Sequence, residues 1–307
     1  MGRYIAVRLG AALVTLVAAS MLIFVLLRVA PGDPARLMYG LTPPPDAQLE
    51  EMRAALGLDQ PLPVQYARYM GAALRGDFGR SYRSHEPVGS MIAERFPRTL
   101  RLTLAALVIA TVVGVAAGVA AGVRRGSWLD AATMAAAVLG VSVPSFWFGM
   151  VLILVFAVGL GWFSVAGSST WRDVVLPAVT LGISAAAVIA RVTRAAMVEV
   201  LTQDYIRTAR VKGLAERVVY FRHALKNALI PVVSIVGLQM GYMLSGAIVV
   251  ENVFGYAGMG QLAVYALNTR DYPVIQAVVL VSTTCFILVN LAVDLLYTLL
   301  DPRIRYA

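Results

Sequence analysis

Few residues in this 307-residue chain have the chemistry to make or break bonds, and their spacing argues against it. The only lysines, Lys212 and Lys226, stand outside any Gly-x-x-x-x-Gly-Lys-Ser/Thr loop, the arrangement whose backbone amides cradle nucleotide phosphates. The glycine-rich stretch Phe254-Gly255-Tyr256-Ala257-Gly258-Met259-Gly260 follows an apolar run with no strand before it, so it reads as a tight turn. Cys285 is alone, which excludes an intrachain disulfide and a thiolate metal site. His85 and His223 lie in separate polar segments, and no Ser-His-Asp, Cys-His or paired-carboxylate arrangement can be argued. The chain is therefore expected to be no enzyme, with no catalytic residue, no cofactor and no metal. Three polar side chains flank apolar runs: Glu251, Asn290 and Asp294. Ionisable groups within a membrane are candidates for lining a pathway, and near a span end they also sit comfortably at the interface.

The elements that must position these residues follow from composition. Apolar residues make up 59% of the chain and charged residues 14%, against about 25% charged in a soluble domain. So little charge does not cover a water-soluble body, so the bilayer is the solvent for much of it. The net charge of +9 comes almost wholly from arginines clustered between apolar runs, a pattern of membrane orientation rather than nucleic-acid binding.

A span needs about 20 apolar residues. The qualifying runs are Leu9–Leu27, Leu102–Val123, Ala131–Trp171, Val174–Ala190, Ala228–Val250 and Pro273–Val293. The fourth is short and is expected to continue past Arg191. The third is too long for one pass and barely long enough for two, and charge decides. With one pass, the cytoplasmic segments hold fourteen Lys/Arg and the short external loops only Arg172 and Arg270, the positive-inside pattern. A single helix bent at Gly140 and Pro144 is expected there, followed by an external apolar stretch around Gly159–Trp171. The first run is too long for a cleaved signal peptide and no cleavage site follows it, so it reads as an anchor. The expectation is an all-α integral membrane protein of six transmembrane helices, with both termini cytoplasmic.

Residues 31–98 form an external segment with balanced charge. After proline-rich breaks at Pro31–Pro34 and Pro43–Pro45, amphipathic helices are expected at Ala47–Leu56 and Pro63–Leu74, before a turn at Arg75–Gly79. In the cytoplasmic segment 199–227, Leu201, Tyr205, Thr208 and Lys212 recur at helical spacing, with Ala209 beside them and Gly213 where a helix would stop. A second basic amphipathic stretch, Glu216–Lys226, leads to Pro231. Small residues, one aromatic and a terminating glycine fit a docking helix for a partner's groove, while a solvated face explains the charge equally well.

That segment also resembles a known family. Asp204-Tyr205-Ile206-Arg207-Thr208-Ala209-Arg210-Val211-Lys212-Gly213, then Ala224-Leu225-Lys226-Asn227-Ala228-Leu229-Ile230-Pro231, is similar to the coupling signature of binding-protein-dependent ABC importer permeases. Arg207-Thr208-Ala209 stands where the general family has Glu-Ala-Ala, a departure that matches its peptide/nickel branch. Pro31-Gly32-Asp33-Pro34-Ala35, Leu56–Pro61, Arg270–Gln276 and Asp301–Arg305 resemble the same branch, so the likeness spans the chain.

The resemblance implies a type I importer permease fold. It divides the chain into an anchor helix at 1–30, an external segment at 31–98 and a five-helix core at 99–307. It implies as partners a second homologous permease subunit, two cytoplasmic ABC ATPases that hydrolyse the ATP, and an external substrate-binding protein, with membrane lipid around them and no nucleic acid. It makes Leu201, Asp204, Tyr205, Arg207, Thr208, Ala209, Lys212 and Gly213 the ATPase-coupling residues. The expected cargo is a short peptide, dipeptide or oligopeptide, with a nickel complex or glutathione as the alternative. A secondary transporter is the competing class, and it would show midplane charge and an internal repeat.

Overall fold

The computed structural model describes residues 2–29, 45–55 and 57–300, and the regular structure among them is helical apart from one isolated bridge between Arg80 and Pro87. The helices are α1 (Gly2–Val29), α2 (Asp46–Ala55), α3 (Leu62–Ala73), α4 (Val88–Val123), α5 (Trp128–Ser142) and α6 (Ser145–Leu152), the last continued by a π-helical segment, Ile153–Gly159. Then come α7 (Arg172–Leu201), α8 (Asp204–Val211), α9 (Glu216–Val218), a second π-helical segment (Val219–Ala224), α10 (Leu225–Val253), α11 (Met259–Thr269) and α12 (Tyr272–Leu300). The expected breaks at Pro31–Pro34 and at Pro43 and Pro44, and the stretch Asp301–Arg305, lie outside the described residues.

Five stretches are long and apolar enough to cross a membrane: Val7–Val29, Val88–Val123, Arg172–Leu201, Glu216–Val253 and Tyr272–Val293. Trp128–Ser142 and Ser145–Gly159 meet at 104° and make a sixth when taken together. The bend expected at Gly140 and Pro144 is present, as a break of 104° at Val143 and Pro144. Val143 is extended and Pro144 takes the N-cap of α6, because proline has no amide to continue the helix and drives the residue before it out of the helical region. Gly140 is no hinge; it packs against Ala187.

The described chain forms two compact units. The first holds Thr99–Tyr256 and the residues from Leu288 on. In it both halves of the broken pair pack on α7. Asp130 pairs with Arg194, the Ser184 hydroxyl donates to Gly140 O at 3.0 Å, and the amide of Thr170 donates to Asp173 Oδ2 at 2.8 Å. Arg194 and Asp173 lie about 30 Å apart along a helix rising 1.5 Å per residue, one hydrocarbon thickness. Counted as one span, the broken pair brings the candidate spans among the described residues to six.

The second unit holds Gly2–Arg98 and Ala257–Ile287. Its apolar core includes Leu27, Tyr82, Val88, Ile92, Leu262 and Val274. Buried Asp271 accepts hydrogen bonds from Ser81 Oγ at 2.5 Å and the Tyr82 amide at 3.0 Å, fixing the loop before α4 to the start of α12. The helix α4 begins fourteen residues before the apolar run that announced it. Charges at Arg95, Arg98 and Arg101 interrupt apolarity without interrupting the helix.

Candidate coupling site

The site is built on α8. Its start has no side-chain cap, but its end is firmly made. Gly213 has φ 78°, the Leu214 amide donates to Ala209 O at 3.3 Å and the Gly213 amide donates to Arg210 O at 2.9 Å. These are the 6→1 and 5→2 bonds of a Schellman end, which needs a left-handed residue where Gly213 stands.

Two faces of α8 do different work. Ile206 is fully buried and Ala209 is 7% exposed. Both join a cluster with Val119 of α4, Met197 of α7, Val219 of the second π-helical segment and Ala228 of α10. Leu201, at the end of α7, packs on the same cluster. Sequence spacing places Ala209 beside Tyr205 on the docking face; the structure turns it inward, because Ile206 and Ala209 are the edge of this short helix that the apolar cluster accepts. Tyr205, Lys212 and Gly213 are exposed, as are Asp204, Arg207, Thr208 and Val211. Those last four form a strip at positions i, i+3, i+4 and i+7, the spacing with which a helix anchors in a groove. Val211 is 83% exposed, and nothing in the motif reading singled it out.

Polar contacts brace the edges. Asn227 Nδ2 donates to Tyr205 Oη at 2.8 Å, and Arg210 Nε donates to Glu216 Oε1 at 2.9 Å. The Glu216 carboxylate holds the Arg210 guanidinium above its ordinary value. Exposed pairs of this kind contribute little, so the apolar cluster supplies most of the hold.

The helices under that seat are tightly joined. Gly114, Gly118 and Gly122 line one edge of α4, and a Cβ added at Gly118 would lie 2.5 Å from Ala190 O and from Thr193 Cβ of α7. Small residues every fourth position let helix backbones touch within a membrane. Asp130 and Arg194 add an ion pair near the same end of α7, its carboxylate buried and its guanidinium partly exposed.

Two of the pathway candidates have described side chains. Glu251 is fully buried and accepts a hydrogen bond from Thr99 Oγ1 at 2.6 Å, a link between α10 and α4. Asn290 is half-buried on α12, and Asp294 lies on the same helix, its side chain outside the described ones. An apolar cavity of about 680 Å³ opens between α4 and the second π-helical segment; its lining includes Val112, Val119, Arg124, Tyr220, Phe221 and Leu229, and neither Glu251 nor Asn290.

Comparison with known proteins matches residues 114–306 to the family described as "Binding-protein-dependent transport system inner membrane component". Residues 1–103 match the N-terminal companion of that family. The glutathione transport system permease protein GsiC of Escherichia coli K12 is 49% identical over 304 residues, covering 99% of both chains. GsiC of Salmonella paratyphi A is 48% identical over the same length. Among solved structures, an inward-facing MetNI methionine ABC transporter matches with TM-score 0.54 and 20% identity, covering 69% of this chain and 96% of that one. An amino acid ABC transporter with histidines matches with TM-score 0.52 and 17% identity, covering 70% and 94%. These likenesses show the fold of ABC importer permeases.

Proposed function

The chain belongs to the binding-protein-dependent transport system inner membrane component family, and on that premise we propose that it forms half of the translocation pathway of an ATP-driven importer, taking its drive from an ATPase docked on α8. It is a multi-pass inner-membrane permease subunit of an ABC importer, and its family is a membrane component that is not itself catalytic.

The observation that carries the docking reading is the outward strip Asp204, Arg207, Thr208 and Val211, set on a seat of Ile206 and Ala209. In this reading both termini are cytoplasmic, as the fourteen-to-two charge split favours. A second homologous permease completes the pathway, two cytoplasmic ABC ATPases supply the hydrolysis, and an external binding protein delivers the cargo. The seat touches α4, α7 and α10 together, so a push on α8 reaches three spanning helices at once. ATP-driven closure of the ATPases then biases the inward- and outward-open states through different contacts in each.

The proposed cargo is a short peptide or a peptide-like solute. Dipeptides and oligopeptides head the sequence expectation, whereas the relatives are named for glutathione, itself a tripeptide, and favour that alternative.

Reconstitution of the importer with its binding protein in proteoliposomes tests both halves. ATP-dependent, saturable uptake of labelled glutathione or of a labelled dipeptide is expected, and uptake of neither would overturn the cargo class. Val211→Glu is expected to reach the membrane at the normal level, lose the ATPase on detergent extraction and reduce uptake at least tenfold. An intact complex with full uptake would show that α8 is not the docking element.

A further inference from the structure

The external segment contains a helix whose surroundings do not suit water. In α3 the only charged side chain is Arg68. Its exposed positions otherwise include Leu62, Val64 and Ala67, and Leu74 follows at its end. A helix apolar on nearly every side is covered by protein or by lipid.

Its contacts give the level at which it lies. Tyr66 Oη and Ser20 Oγ are 2.7 Å apart, and the rings of Tyr66 and Tyr69 lie 5.5 Å and 6.1 Å from that of Phe24. Ser20 and Phe24 belong to the apolar stretch Val7–Val29 of α1. At 1.5 Å per residue, Ser20 lies about 13 Å inside the end of that stretch. The exposed side chains of α1 there, Met21, Leu22, Val25 and Leu26, are apolar. The lipid-facing surface of α1 therefore continues onto α3.

Beside Phe24 two donors wait. The Arg28 guanidinium sits 5.0 Å over the Phe24 ring. Its Nε is buried and has no hydrogen-bond partner, and among the described residues no carboxylate pairs with it. The Tyr69 hydroxyl is likewise buried and unpartnered. Burial and neighbouring Tyr66 push that phenol up to about 12, so it stays a donor. Buried donors left unmet are costly, and an anionic oxygen is the acceptor that suits a guanidinium and a phenol together.

We propose that α3 lies sunk in the membrane leaflet that meets the C-terminal end of α1, where Arg28 and Tyr69 hold the phosphate of a phospholipid. The topology proposed above makes this the outer leaflet, and the inference rests on that reading only for the leaflet's name. Arg28, one residue from the end of that apolar stretch, and a tyrosine beside Phe24 are side-chain types that favour the headgroup region.

Spin labels read the depth directly, in the full chain with Cys285→Ser, held in nanodiscs of phosphatidylethanolamine and phosphatidylglycerol. A nitroxide on Val64→Cys is expected to collide with oxygen in preference to a water-soluble nickel chelate, like one on Leu22→Cys and unlike one on Ser84→Cys. Preference for the chelate, or shielding from both, would overturn the membrane placement. Native mass spectrometry then counts retained phospholipid. Arg28→Gln is expected to lose most of a retained phospholipid, and Tyr69→Phe, which removes only a hydroxyl, is expected to lose part of it. Added inorganic phosphate is expected to displace none. Retention equal to the parent chain in both variants would overturn the headgroup assignment, and displacement by inorganic phosphate would show a free-anion site instead.

Discussion

Arg194 reaches across 64 positions of chain to hold both carboxylate oxygens of Asp130, with Nη2 2.7 Å from Oδ2. The Gly126 amide donates to the same carboxylate at 3.0 Å, and the Asp130 amide donates to Ser127 Oγ at 3.3 Å. Ser127 thus caps the start of α5, and Asp130 braces that start and fastens it to α7. Removing one partner leaves the other charge unmet. Asp130→Asn should therefore lower the melting temperature of the purified chain. Adding Arg194→Gln should recover part of that loss, because the orphaned charge goes too. A melting curve for Asp130→Asn that overlays the parent would show that the pair contributes little.

The contact of α4 with α7 gives a prediction graded by volume. At Gly118 even one methyl group meets Ala190 O and Thr193 Cβ. Overpacking of this kind costs about 1–3 kcal/mol or more. Gly118→Ala should reduce the yield of monodisperse protein, and Gly118→Leu should nearly abolish it. Normal size-exclusion profiles for both would show that the helices separate easily there.

Ala209 should behave as a fold residue. Ala209→Glu places a carboxylate against Val119, Met197 and Val219, and an unpaired charge in such a cluster destabilises by about 3–5 kcal/mol. The membrane level of this variant should fall, whereas that of Thr208→Glu, on the exposed strip, should hold. Equal membrane levels with equal loss of the ATPase would instead put Ala209 in the contact itself.

Topology is checked with single cysteines in a Cys285→Ser background. A membrane-impermeant thiol reagent should label Ser168→Cys in intact spheroplasts and leave Thr202→Cys untouched until the membrane is opened. Outside labelling at Thr202→Cys would reverse the orientation.

Much of the architecture is legible in the sequence because the bilayer imposes a coarse rule that apolar runs and arginines obey. The broken span is legible only as a length anomaly; Pro144 shows where it breaks, but not that it turns by 104°. The helix α11 is hidden, since Met259–Thr269 follows a glycine-rich turn and is too short to announce itself. Gly114, Gly118 and Gly122 carry a readable four-residue spacing that charge-based reading passes over. The bond from Arg194 to Asp130 and that from Thr99 to Glu251 join residues 64 and 152 positions apart, and no local pattern encodes them. At α8 the eight residues are too few for periodicity to separate the inward edge from the outward one, so neither the inward turn of Ala209 nor the exposure of Val211 is legible there.

The division of labour across α8 separates two kinds of constraint that a linear motif merges. Ile206, Ala209 and Gly213 answer to this chain's own interior, whereas Asp204, Arg207, Thr208 and Val211 answer to whatever meets them from outside. If an ATPase docks on α8 as proposed, exchanging the second group while keeping the first would re-key the helix for a different motor without rebuilding its mount, a natural point for joining chimeric transporters.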